Sequence, residues 1–161
     1  MQIYLLRHGI AEEPQAGRAD SERALTSEGR DKLRRVLKRA RTADLDPGLI
    51  LSSPYRRARE TAEVAAEVLA YEGEIVRTPV LVPEANPADV WAEIRKRPNE
   101  RSILLASHEP LMSSLGAFLL NSPALVIDMK KGALIRIDCL RLGPAPTGIL
   151  KWMLTPGACI E

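Results

Sequence analysis

A chain of 161 residues, 45% of them hydrophobic, is long enough to bury a core without staples of disulfide or metal, so a single domain spanning 1–161 is expected. Its 23 Lys and Arg balance 21 Asp and Glu to a net charge of +2, which points away from nucleic acid and membrane surfaces and leaves any positive potential to be local. Two cysteines, Cys139 and Cys159, are too few for a disulfide framework and fit no zinc spacing, and with neither a signal-peptide pattern nor a long apolar run the chain reads as soluble and cytoplasmic.

Ile3 to Leu6 is a short apolar run without helical period that ends at Arg7-His8-Gly9, as a buried strand running into a loop does. Residues 11–26 are polar and read as a loop. After Thr26, Leu33, Val36, Leu37 and Ala40 follow the three-four spacing of an amphipathic helix. Leu49 to Leu51 predicts a second buried strand, and Ser52-Ser53-Pro54 predicts a capped helix start with Ala58, Ala62, Ala65 and Leu69 inward. Ile75-Val76 and Val80 to Val82 read as extended. Pro87 to Lys96 predicts a short helix, Ile103 to Ala106 a strand, and the segment after Ser107-His108-Glu109-Pro110 a helix carrying Leu111, Leu115, Phe118 and Leu119. Ala133 to Leu140 and Ile149 to Leu154 predict a hairpin at the edge of a sheet.

This rhythm predicts an α/β fold, a three-layer α/β/α sandwich around a mostly parallel sheet, with ligands beyond the carboxyl ends of the strands. Both histidines of the chain, His8 and His108, lie at such ends, as does the stretch from Ser52 to Arg57. A neutral imidazole can attack phosphorus and hold the phosphoryl group, while arginines discourage its protonation and match phosphate oxygens with a planar charged fork. Arg7 and Arg57 suit that task, and Gly9 would let backbone approach the phosphate.

Arg7-His8-Gly9 after an N-terminal strand resembles the signature of the histidine phosphatase superfamily, the phosphoglycerate mutase-like proteins. Leu25-Thr26-Ser27-Glu28-Gly29 resembles its Leu-Thr-x-x-Gly start of a helix, Ser53 to Thr61 its Ser-x-x-x-Arg-Ala-x-x-Thr block, and Ser107 to Pro110 the segment bearing its second histidine. The resemblance implies that His8 is the nucleophile and that Arg7, Arg57 and His108 hold the transferred phosphoryl group. The short length and the ending Lys151 to Pro156 resemble the SixA branch, in which Arg23 would bind substrate phosphate. The acidic proton donor of the family has no clear motif here; Glu84 is in the corresponding region, and Glu109 adjoins His108.

The expected activity is thus a phosphatase without metal or other cofactor, acting on a phosphohistidine-containing protein, with a small phosphorylated substrate as the alternative. A catalytically silent phosphate-binding module is the reading from another class, and retention of both histidines and both arginines argues against it. The basic residues from Arg30 to Arg41 read as solvated helix faces, since six aromatic residues in the whole chain provide no stacking platform for nucleic acid. Two histidines far apart in sequence do not make a metal site.

Overall fold

The computed structural model describes residues 1–159. Strand β1 (Gln2–Arg7) points Ile3 and Leu5 into one apolar cluster and Tyr4 and Leu6 into another, and all four are fully buried. A strand accepts apolar side chains on both faces only when both are covered. It lies inside a six-stranded sheet of order β3-β2-β4-β1-β5-β6, with β2 (Leu49–Ser52), β3 (Ile75–Arg77), β4 (Ser102–Ser107), β5 (Leu134–Asp138) and β6 (Ile149–Leu154). The strands β1 to β4 pair in parallel. β5 and β6 form the antiparallel edge, as their alternating pattern predicts.

Helices α1 (Ser27–Arg41) and α2 (Arg56–Leu69) cover one face and α3 (Pro87–Arg95) and α4 (Leu111–Leu119) the other. Handedness explains the division. The connections from β1 to β2 and from β2 to β3 run toward one edge of the sheet, whereas that from β3 to β4 runs back, so right-handed crossovers put their helices on opposite faces. The result is the expected three-layer sandwich. Among the described residues, no helix is long and apolar enough to cross a membrane.

Two local expectations are corrected. Residues 80–82 are not a strand: Pro79 opens a 3₁₀ turn, Pro79–Leu81, whose Val80 N–H is accepted by Thr78 Oγ1, and its fixed φ and missing N–H suit a turn better than a ladder. Helix α2 begins at Arg56 without a side-chain cap, because Ser53 Oγ accepts the Tyr55 N–H in a turn ahead of it. Loop 11–26 is more ordered than its polarity suggests, being closed by a bridge between Ala11 and Leu25 and holding a 3₁₀ turn at Asp20–Glu22. Thr26 Oγ1 accepts the Gly29 N–H at the start of α1 and donates to the Ile10 carbonyl, and a Cβ on Gly29 would collide with that same carbonyl oxygen. The Leu-Thr-x-x-Gly segment is therefore the seam where the loop crosses the helix.

Candidate active site

β1 and β4 run in register, with Arg7 opposite Ser107, and the ladder continues one step past both strands as His8 N–H donates to the Ser107 carbonyl at 2.9 Å. His8 and His108 therefore leave the sheet side by side, their ring centroids 5.2 Å apart and the planes inclined by 60°. On the other side of β4, Ser53 N–H donates to the Ala106 carbonyl and sets the start of α2 against them. Arg57, in the first turn of α2, reaches back so that its Nε–H meets His8 Nε2 at 3.4 Å.

A hydrogen bond assigns the imidazole proton of His8. His8 Nδ1 lies 2.8 Å from the Gly9 carbonyl, which can only accept, so Nδ1 carries the proton and the lone pair is on Nε2. His108 Nε2 lies 2.8 Å from Ser53 Oγ. Ser53 Oγ also accepts from Tyr55 N–H, so one hydroxyl joins the turn ahead of α2 to the His108 ring. His108 Nδ1 is buried and has no partner among the described residues, and the same holds for Arg7 Nε. Buried polar atoms in folded proteins nearly always have partners, so unmatched polar atoms at adjoining strand ends mark a place prepared for a ligand.

Both rings are kept neutral. Burial pushes His8 down to about 4, with the Gly9 carbonyl opposing it and the cations of Arg57, Arg7 and Lys131 adding to it. His108 falls to about 3 for the same first reason, helped by His8 and Arg57. Neutral imidazole, with its lone pair on an unprotonated nitrogen, is the nucleophilic form.

The remaining candidates separate. Arg7 adjoins the pair, with Nη1 donating to the Met129 carbonyl at 2.7 Å. Gly9 is tightly packed: its N–H donates to Thr61 Oγ1, and a Cβ there would come within 2.8 Å of Leu33 Cδ1 on α1. Arg23 reaches the rim, its Nε donating to Asp20 Oδ1 at 2.8 Å and its Nη1 to the Glu12 carbonyl, and its charge contributes to the lowering of both His108 and Arg57. Glu84 is exposed in a turn and shares no hydrogen bond with the histidines or arginines described. Glu109 accepts the N–H and Oγ–H of Ser113 at the start of α4, both at 2.7 Å. Among the described residues, no cluster of three or more His, Cys, Asp or Glu is arranged to hold a metal ion.

Four contributors were not foreseen as such. Asp20 accepts from Arg57 through its carbonyl at 2.8 Å and its Oδ2 at 3.1 Å, joining Arg57 to Arg23. Tyr55 meets the His108 ring edge-on at 5.0 Å and lies under the Arg57 guanidinium at 5.1 Å. Thr61 ties the Arg57 carbonyl to Gly9, and Ser53 holds the His108 ring at Nε2. Ser53, Arg57 and Thr61 share a spacing of four, which is the signal that could have found the outer two.

A neutral imidazole pair beside arginines at the carboxyl ends of a mostly parallel sheet suits phosphoryl transfer, and comparison with known proteins names the class. The chain belongs to the histidine phosphatase superfamily: the model of its branch 1 matches residues 3–81. The chain is of the SixA type within it. It is 32% identical over 121 residues to phosphohistidine phosphatase SixA of Escherichia coli K12, covering 74% of either chain. A solved structure of the protein histidine phosphatase SixA complexed with tungstate superimposes with a TM-score of 0.83 at 26% identity, covering 98% of each chain. The fold is also shared, at a TM-score of 0.73 and 19% identity, with a putative alpha-ribazole-5'-P phosphatase from Escherichia coli K-12, covering 97% of this chain and 98% of that one.

Proposed function

We propose that this phosphatase removes the phosphoryl group from phosphohistidine in a protein partner such as a phosphotransfer domain, passing it through a covalent intermediate on His8 Nε2. The observation that carries the reading is that the His8 lone pair, on Nε2, faces the Arg57 Nε–H at 3.4 Å and stands beside the His108 ring at 5.2 Å, with two buried atoms, Arg7 Nε and His108 Nδ1, lacking partners among the described residues. A phosphoryl group bonded to Nε2 would bring oxygens to these atoms, and Arg57 Nε–H stands at the same nitrogen. Such donors act where charge is held on the transferring oxygens, and they need no reorganisation as the reaction proceeds.

In the first step Nε2 attacks phosphorus and the bond from phosphorus to the substrate nitrogen breaks. The departing imidazole leaves neutral if its other nitrogen carries a proton, so no dedicated acid is required. Water then attacks phosphorus on His8, releasing inorganic phosphate and a proton. His8 is itself the leaving group here, and the Gly9 carbonyl keeps its Nδ1 protonated so that it too departs neutral. No metal takes part in either step, its place being filled by the arginines and His108.

The tungstate complex of SixA supports the reading, since tungstate is a tetrahedral oxyanion like phosphate. The test compares kcat/KM for a histidine-phosphorylated phosphotransfer domain, an aryl phosphate and alkyl phosphates, with and without chelator. Faster turnover of the phosphohistidine, indifference to chelator and acid-labile phosphate on His8 are expected. Efficient alkyl ester hydrolysis that outpaces phosphohistidine would move the assignment to the small-molecule phosphatases.

A further inference from the structure

A cleft of about 680 Å³ opens beside the catalytic cluster, with Arg7 on its wall and Lys32, Lys130 and Lys131 around Ile10 and Pro156. It is continuous with a row of cations on α1. Lys32, Arg35 and Arg39 recur at steps of three and four, the spacing of one helix face. The 3₁₀ turn at Pro156–Ala158, which supplies Pro156 and Gly157 to the cleft, packs on α1. Arg35 and Arg39 lie roughly one and two turns beyond Lys32 on the same helix, and both are exposed.

Little nearby cancels this charge. Lys32 pairs with Glu28 and Lys130 with Asp128, both at 2.9 Å, but these carboxylates are 65% and 78% exposed, and such pairs hold weakly in water. Lys131, Arg35 and Arg39 have no carboxylate within ion-pair distance among the described residues. Among the described residues, five cations thus stand against the two carboxylates paired with them, in a chain whose total is only +2.

Resting on the reading above, we propose that this cleft and the α1 row form a docking face for an acidic protein surface, carried by the partner whose phosphohistidine enters the site. The number of charges decides for a protein over a small phosphate ester: one phosphoryl group occupies the site itself and leaves the cations spread over seven helical steps, roughly 10 Å from Lys32 to Arg39, for a surface that carries several carboxylates. Ile10 and Pro156 add an apolar wall that a protein side chain can fill. Complementary charge of this kind mainly raises the encounter rate and fixes orientation. Here it would turn the partner so that its phosphorylated histidine faces Arg7.

The experiment uses Lys32→Glu/Arg35→Glu and the milder Lys32→Gln/Arg35→Gln in the full chain, assayed with a histidine-phosphorylated phosphotransfer domain of net negative charge and with p-nitrophenyl phosphate. The charge reversal should lower kcat/KM for the domain by about tenfold or more, mostly through KM, with the neutral variant between and the aryl phosphate within about twofold of wild type. Raising ionic strength should erase the difference between wild type and reversal. Equal turnover of the domain by all three proteins overturns the docking face, and so does an equal loss on both substrates. Failure of the wild type to act on any phosphohistidine domain, with p-nitrophenyl phosphate turned over, would instead overturn the proposed substrate.

Discussion

The strand-end cluster and the loop of residues 10–25 both hold arginine, yet only the cluster leaves a buried guanidinium nitrogen, Arg7 Nε, unmatched. In the loop every guanidinium is engaged: Arg18 donates to Glu12 Oε2 and to the Glu22 carbonyl, and Arg23 to Asp20 and the Glu12 carbonyl. In the cluster, Arg7 Nε and His108 Nδ1 are buried and unmatched. Exposed ion pairs return about 0.2 to 1 kcal/mol, whereas a buried polar group without a partner costs about 1 to 3. Among the described residues, two of the three buried side-chain atoms without a partner thus fall at the strand ends, the third being Arg59 Nε on α2. Stability is given up at the strand ends and recovered elsewhere, which is how a site differs from a surface.

The sharpest way to break this contrast is to remove the lone pair. His8→Ala should lower turnover by about 10⁴-fold or more and abolish acid-labile labelling, because the covalent route is gone; residual activity near wild type in a single-turnover assay would end it. Next comes removal of one charge-stabilising group. Arg57→Ala or His108→Ala should cost about 10²- to 10³-fold in kcat while acid-labile phosphate still forms on His8, which a quenched-flow labelling experiment can follow.

The pH dependence comes third in size. Because His8 must be neutral and its pKa lies at about 4, kcat/KM should stay level from pH 8 down to about 5 and fall only below that, not near 6.5. The folded state refuses protons that the unfolded histidines accept between pH 6.5 and 4. Folding stability is therefore complete above about 6.5 and is lost as pH falls through that window, by about 3 kcal/mol for His8 alone. Denaturant midpoints of wild type and His8→Asn across pH 4 to 7 measure this, and the variant should show the shallower loss.

The smallest effects belong to the rim. Arg23→Ala should raise KM about threefold to tenfold with little change in kcat, since Arg23 acts at the edge and is already held by Asp20. Glu84→Gln should leave kcat/KM for an aryl phosphate within about twofold. A collapse in Glu84→Gln would show that the exposed turn closes on the substrate and supplies the acid for which the steps above have no need.

How much of this was legible in the chain follows from the range of the forces involved. Buried strands such as Ile3 to Leu6 and Ile103 to Ala106 declare themselves because burial on both faces demands an unbroken apolar run. His8, Arg57 and His108 were legible because each follows a strand or opens a helix in a short motif. Asp20 was not, since its link to Arg57 spans 37 residues from an exposed loop without periodicity. The 3₁₀ turn at Pro79–Leu81 hid behind valine and leucine, whose preference for strands the preceding proline overrides. The lysines of the cleft were readable only as charge, because their gathering depends on where the C-terminal turn meets α1.

The in-register pairing of β1 with β4 has a consequence for what can change in this protein. Neighbouring parallel strands stand about 4.8 Å apart whatever their sequence. The two histidines, one step beyond Arg7 and Ser107, inherit that gauge almost unchanged in their 5.2 Å ring separation. The width of the reaction chamber is thus a property of the backbone lattice, insulated from drift in the surrounding loops. Rim residues such as Arg23, Asp20 and the cleft lysines can be exchanged to suit a different customer while the machinery beneath keeps its dimensions.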